Sequence, residues 1–178
     1  MVPWPEKTGT LSVTQEGTGK PWLTVQSLAA VPLKAPLRAG FAVTRTVTAV
    51  EQKVKGSWSR GDVMRVRLDV DAQSDMTWVV VSDPVPGGGT LLGSGLGRDS
   101  EIAAQPASGD RAAPTFEERS FEAFRSYFEY LPRGKHVIEY TVRLNNPGVF
   151  AVPPTRVEAM YSPETFGETP NAALEVKP

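Results

Sequence analysis

The sequence predicts an all-β chain, an antiparallel β-sandwich with one short helix at most and a small N-terminal β annex. Three observations carry this. Two segments alternate apolar and polar residues with a period of two, as a strand with one buried face must. Sixteen Gly and sixteen Pro separate nearly all the strand candidates, and that spacing suits strands joined by tight turns better than strand–helix–strand units. Residues 78–81, Trp-Val-Val-Val, form a short β-branched run too brief for a helix.

From the N-terminus, residues 10–14 and 22–28 are weak strand candidates, the basis of the annex. Residues 30–39, with Pro32 and Pro36, read as a linker, so residues 1–38 and 39–178 are predicted as separate pieces. Residues 41–49 are rich in Val and Thr and form a strand. In the next, Met64, Val66, Leu68, Val70 and Ala72 alternate with Arg65, Arg67, Asp69 and Asp71. Trp78 to Val81 is expected to be buried on both faces. Residues 84–114 read as a long loop containing two glycine-rich stretches. Residues 117–121 are expected to form a helical or irregular turn, followed by a strand to Tyr130. The turn Leu131-Pro132-Arg133-Gly134 starts a strand near Lys135, in which Ile138, Tyr140, Val142 and Leu144 share one face. Residues 156–161 and 174–177 complete the set.

Composition narrows the function. Lys and Arg total 19 against 20 Asp and Glu, a formal charge of -1, and no basic block offers itself to nucleic acid or an anionic membrane. The apolar runs are all too short to span a bilayer. Met1-Val2-Pro3-Trp4-Pro5-Glu6 lacks the regions of a signal peptide, so an exported protein would carry its signal elsewhere. Without cysteine there is no thiol chemistry, disulfide or thiolate metal site, and His136 is the single imidazole.

The chemical motifs fail on detail. Gly93, Gly95 and Gly97 alternate, and Arg98 and Asp99 follow where a Walker loop needs Lys and Ser or Thr. Asp69, Asp71 and Asp75 resemble the start of a calcium loop, but Gln73 and Ser74 occupy a ligand position and the turn glycine. Glu117 and Glu118 are adjacent and cannot flank a glycosidic bond. His136 opens a strand with no nucleophile elbow in the chain, and reads as a surface or edge histidine. Arg65, Arg67, Arg143 and Arg156 read as partners of Asp69, Glu139 and Glu158 across strands. No catalytic residue, cofactor or metal ligand is therefore assigned. Met160 and Tyr161 end a strand on opposite faces, so at least one should leave the core; the pattern favours core packing slightly over an interface anchor.

Taken in order, Trp78-Val79-Val80-Val81-Ser82-Asp83-Pro84-Val85-Pro86-Gly87-Gly88, Glu118-Arg119, Tyr130-Leu131-Pro132-Arg133-Gly134, Tyr140-Thr141-Val142-Arg143, residues 147–154 and Glu158-Ala159-Met160-Tyr161-Ser162-Pro163-Glu164 resemble the C-terminal macroglobulin-like domain of bacterial alpha-2-macroglobulins. The similarity runs from about Gly40 onward. It implies an immunoglobulin-like (macroglobulin-like) sandwich, preceded in residues 1–38 by the tail of another β domain, within a large periplasmic or envelope protein that traps proteases. In thioester-bearing members a Met-Tyr pair covers the thioester, and the matching positions are Met160 and Tyr161. The implied partners are other domains of the same chain and the trapped proteases. The insertion at residues 89–115 departs from the best-known members. The competing reading is a free-standing carbohydrate-binding or adhesin sandwich, with Trp22, Trp58 or Trp78 stacked on sugar rings.

Overall fold

The computed structural model describes residues 9–20, 22–26, 31–93 and 114–178. The chain divides into two compact units, Met1–Val31 and Pro32–Pro178. In the first, the described residues contain no strand, contrary to the expected annex. Leu11 and Val13 stay 62% and 58% exposed, and alternation this short buries too little to hold a strand unpartnered. Residues 27–28, the end of the second annex candidate, lie outside the described residues.

Among its described residues the second unit holds thirteen strands: β1 (Leu37–Ala39), β2 (Phe41–Glu51), β3 (Trp58–Ser59), β4 (Val63–Ala72), β5 (Met76–Pro84), β6 (Gly89–Leu92), β7 (Phe116–Arg119), β8 (Ala123–Leu131), β9 (Gly134–Leu144), β10 (Gly148–Phe150), β11 (Thr155–Ala159), β12 (Ser162–Thr169) and β13 (Leu174–Lys177). One sheet runs β1-β12-β11-β5-β8-β7, the other β2-β4-β9-β6, and β10-β13-β3 form a small third. No helix occurs among the described residues.

The two larger sheets face each other through the period-two rows. Met64, Val66, Leu68 and Val70 of β4 and Tyr140, Val142 and Leu144 of β9 meet Val79 and Val81 of β5 and Phe124 and Phe128 of β8 in one core. Burying each such side chain contributes about 1.5–3 kcal/mol. The chain passes from one sheet to the other at Gly40, whose φ is 100°. A Cβ there would also lie 2.5 Å from Thr165 Cγ2, so glycine alone turns this corner without a clash.

Several expectations need correction. Residues 37–39 are β1, not linker: they pair with residues 166–168 of β12. Residues 116–119 form β7 rather than a helical turn, because the edge of β8 offers four ladder partners. Ser120 closes the reversal, its N–H donating to Ala123 O at 3.1 Å. The predicted loop at 84–114 contains β6, which pairs with residues 141–144 of β9 after a turn at Gly88, φ 75°; its residues 94–113 lie outside the described residues. In β5, Val79 and Val81 are buried while Trp78 is 45% exposed, so this strand has one buried face. His136 is buried, in phase with Ile138 and Tyr140. Its Nε2 donates to Pro132 O at 2.7 Å.

Charge also enters the core. Arg45 follows Phe41 and Val43 on the inward row of β2, and its Nε donates to both oxygens of the fully buried Asp83, at 3.1 and 2.9 Å. Tyr140 and Thr155 donate their hydroxyls to the same carboxylate. Asp83 and Thr155 belong to one sheet and Arg45 and Tyr140 to the other, so this polar knot fastens the two layers. Burial, then the charge of Asp83, pushes the Tyr140 hydroxyl well above the usual phenol range. Desolvation of Arg45 is outweighed by Asp83, and its pKa also rises. The folded state therefore holds the Tyr140 proton more tightly than the unfolded chain. The stability this lends is complete below about pH 10 and is lost as pH climbs through the higher folded value. The urea midpoint is expected to fall between about pH 9 and about pH 11, and to fall less in Tyr140→Phe.

Candidate functional site

β11 and β12 form a hairpin in which Ala159 pairs with Ser162, leaving Met160-Tyr161 as its two-residue tip. Val157 and Ala159 complete the inward row of β11. Met160 and Tyr161, beyond the end of that strand, are 46% and 77% exposed. The slight preference for core packing is thus overturned for both. The ladder steps from Glu158–Phe166 to Ala159–Ser162, so residues 163–165 of β12 bulge without partners on β11. Such a bulge adds local twist. It lets the tip close with φ negative at both residues, whereas the usual two-residue hairpin turns need positive φ.

The strain sits opposite, at Trp78. Among the described residues it is the non-glycine residue with positive φ, 54°, a geometry costing roughly 1–2 kcal/mol for an L-residue. Thr77 and Val79 on either side pair with Tyr130 and Phe128 of β8. Trp78 O instead accepts the Met160 N–H at 2.7 Å, and its ring meets Tyr161 edge-on, centroids 6.2 Å apart at 83°.

Met160 also lines a shallow groove of about 550 Å³ on the outer face of the six-stranded sheet, with Val80, Arg125, Tyr127, Arg156 and Glu158 among its walls. The groove's cations have partners. Arg125 pairs with Glu118 at 2.5 Å, and Arg156 with Glu158 and Glu168, both at 2.6 Å, while lying 4.6 Å over the Phe166 ring. Tyr127 donates to Glu118 at 2.9 Å. Burial first, then Glu118, raises its pKa.

The remaining candidates fall elsewhere. Glu117 pairs with Arg119 at 3.0 Å and Glu118 with Arg125, so the two acids serve separate ion pairs. Asp69 pairs with Arg67 at 2.8 Å, Arg67 also with Glu139 at 3.4 Å, and Asp75 accepts the Arg133 N–H at 2.7 Å. Of the cross-strand pairings expected, Arg67–Glu139 is present; Asp69 and Glu158 instead pair with Arg67 and Arg156 within their own strands, and the acid that reaches Arg156 from the neighbouring strand is Glu168. Among the described residues no three metal-ligating side chains cluster. Gly95 and Gly97 lie outside the described residues. Of the tryptophans weighed for sugar stacking, Trp22 is fully exposed, Trp58 packs against the core and Trp78 meets the hairpin tip through its carbonyl and its ring. The sequence reading missed this last role, since no side-chain pattern marks a positive φ.

Residues 40–164 match the family described as the bacterial alpha-2-macroglobulin MG10 domain. No curated protein sequence matches. Native Escherichia coli alpha-2-macroglobulin, solved from domain MG7 to the C-terminus, is similar over 83% of this chain and 25% of that one, with TM-score 0.69 and 24% identity. The trypsin-activated E. coli protein is similar over 82% of this chain and 11% of that one, TM-score 0.66, 23% identity. Salmonella alpha-2-macroglobulin reacted with methylamine is similar over 82% and 10%, TM-score 0.65, 20% identity. These likenesses show a shared fold, and the chain spans a quarter or less of the length of each.

Proposed function

We infer, from the premise that this chain belongs to the bacterial alpha-2-macroglobulin MG10 domain family, that it is a non-catalytic module of a larger protease-trapping protein, whose Met160-Tyr161 tip packs on a neighbouring thioester-type domain to hold the native state. The observation that carries this reading is the tip itself: two large apolar side chains, 46% and 77% exposed, on a hairpin braced by Trp78. Exposed Met and Tyr on a fixed support are what an interface anchor requires. A thioether and an aromatic ring laid over a thioester exclude water and amines, and one domain movement withdraws both. The relatives are consistent with such a device, one being trypsin-activated and another reacted with methylamine. The same reading puts the parent in the periplasm or cell envelope as a proposal, with its other domains and the trapped proteases as the proposed partners.

The test replaces both residues by alanine in the longer parent and follows methylamine uptake. Uptake is expected to quicken at least about tenfold, equivalent to some 1.4 kcal/mol of lost shielding. The stability of this chain should move by no more than about 0.5 kcal/mol, because both side chains are surface groups here. Unchanged uptake in a parent that does react with methylamine would overturn the proposal.

A further inference from the structure

We propose that Trp78 is the positioning residue of the Met160-Tyr161 tip, setting it through a left-handed backbone on one side and an aromatic contact on the other. The purpose assigned to the tip rests on the reading above; the mechanical claim does not. Three observations converge on Trp78. Its φ of 54° falls in the middle of a strand, where an L-residue with a bulky side chain gains nothing from that geometry. Its carbonyl extends the β5–β11 ladder one step past the Ala159–Val79 pair to take the Met160 N–H at 2.7 Å. Its indole, 45% exposed, meets Tyr161 edge-on at 6.2 Å. Strain of this kind persists only where surrounding contacts over-determine it. Here the surroundings are firm: Val79 next to it is fully buried, and Thr77 and Val79 are both paired to β8. Trp78 thus transmits the rigidity of the central strand to a tip whose own side chains reach into solvent.

The experiment uses three variants of this chain, Trp78→Gly, Trp78→Ala and Trp78→Phe, read by amide exchange at Met160 and Val157, by the Tyr161 ring resonances and by thermal midpoint. Glycine adopts the left-handed backbone freely but has no ring. Alanine keeps the strain and loses the ring. Phenylalanine retains an aromatic edge. Met160 exchange is expected to quicken about tenfold or more in the glycine and alanine variants while Val157 stays protected, because opening at the tip is local. Tyr161 should lose its upfield ring shift in both, and Phe should restore both signals. The glycine variant should melt above the alanine variant, the reverse of the usual order within a strand.

Met160 protection that survives loss of the indole would sink the proposal. So would Met160 and Val157 opening together without rescue by Phe, which would make Trp78 a plain strut of the fold, or alanine melting above glycine. Methylamine uptake by the parent separates the two claims. If Trp78→Gly loosens Met160 but neither it nor the Met160/Tyr161 double variant changes uptake, the shielding role fails and the positioning role stands.

Discussion

Replacing Asp83 with alanine is expected to lower the unfolding free energy by about 3–5 kcal/mol, the usual penalty for removing one partner of a buried ion pair. The carboxylate is fully buried and takes the Arg45 Nε on both oxygens together with the hydroxyls of Tyr140 and Thr155. Its loss strands a guanidinium whose side chain is 12% exposed and leaves two hydroxyls without that acceptor. Urea denaturation checks this, and a loss under about 1 kcal/mol would show that water or side-chain movement rescues Arg45. A second comparison isolates the cause. Changing Arg45 to Met and Asp83 to Leu together should recover the part of the loss that comes from the uncompensated guanidinium and leave the part that comes from the Tyr140 and Thr155 hydroxyls losing their acceptor.

Phe124→Ala should cost a similar amount, about 3–5 kcal/mol, by a different route. The ring is fully buried, stacked on Tyr140 with centroids 4.3 Å apart at 19°, and the Arg119 guanidinium lies 5.4 Å from its centroid. Truncation opens a cavity between two sheets whose hydrogen-bonded strands cannot collapse to fill it. Phe121→Ala is the control: that ring is 82% exposed, and its loss should stay within about 0.5 kcal/mol. Because Asp83 and Phe124 are ladder partners and both touch Tyr140, the double variant should lose less than the two single losses combined. Additivity within about 0.3 kcal/mol would mean that Tyr140 does not couple them.

The strands with a buried face and a solvent face were legible in the residues. β4 and β9 announce themselves because every second residue is apolar, and their observed bounds differ from the expected ones by a residue. β6, β7 and β12 were not, since short edge or bulged strands take their existence from a neighbour's free ladder groups and need no alternation of their own. β12 even contains Pro163 and Gly167, residues that argue against a strand when only local propensity is consulted. The Arg45–Asp83 pair was visible in phase, one residue following Phe41 and Val43 and the other following Val79 and Val81, but charge at an inward position is ordinarily read as a break in the pattern. The ordered motifs pointed to the family that the match over residues 40–164 shows. The burial state of Met160 and Tyr161 was misjudged because alternation was carried past Ala159, where the bulge ends it.

The strand order β1-β12-β11-β5 also sets a timetable for synthesis. Leu37 pairs with Glu168, and Val81 in β5 with Val157 in β11, so an early strand waits for a late one on both counts. At ribosomal rates of about 5–20 residues per second, β5 leaves the tunnel roughly 4–15 seconds before its neighbour. During that interval Val79 and Val81 lie along an open strand edge, the kind of surface that seeds intermolecular pairing. Refolding from urea should therefore be slow and concentration-sensitive, as non-local pairing dictates.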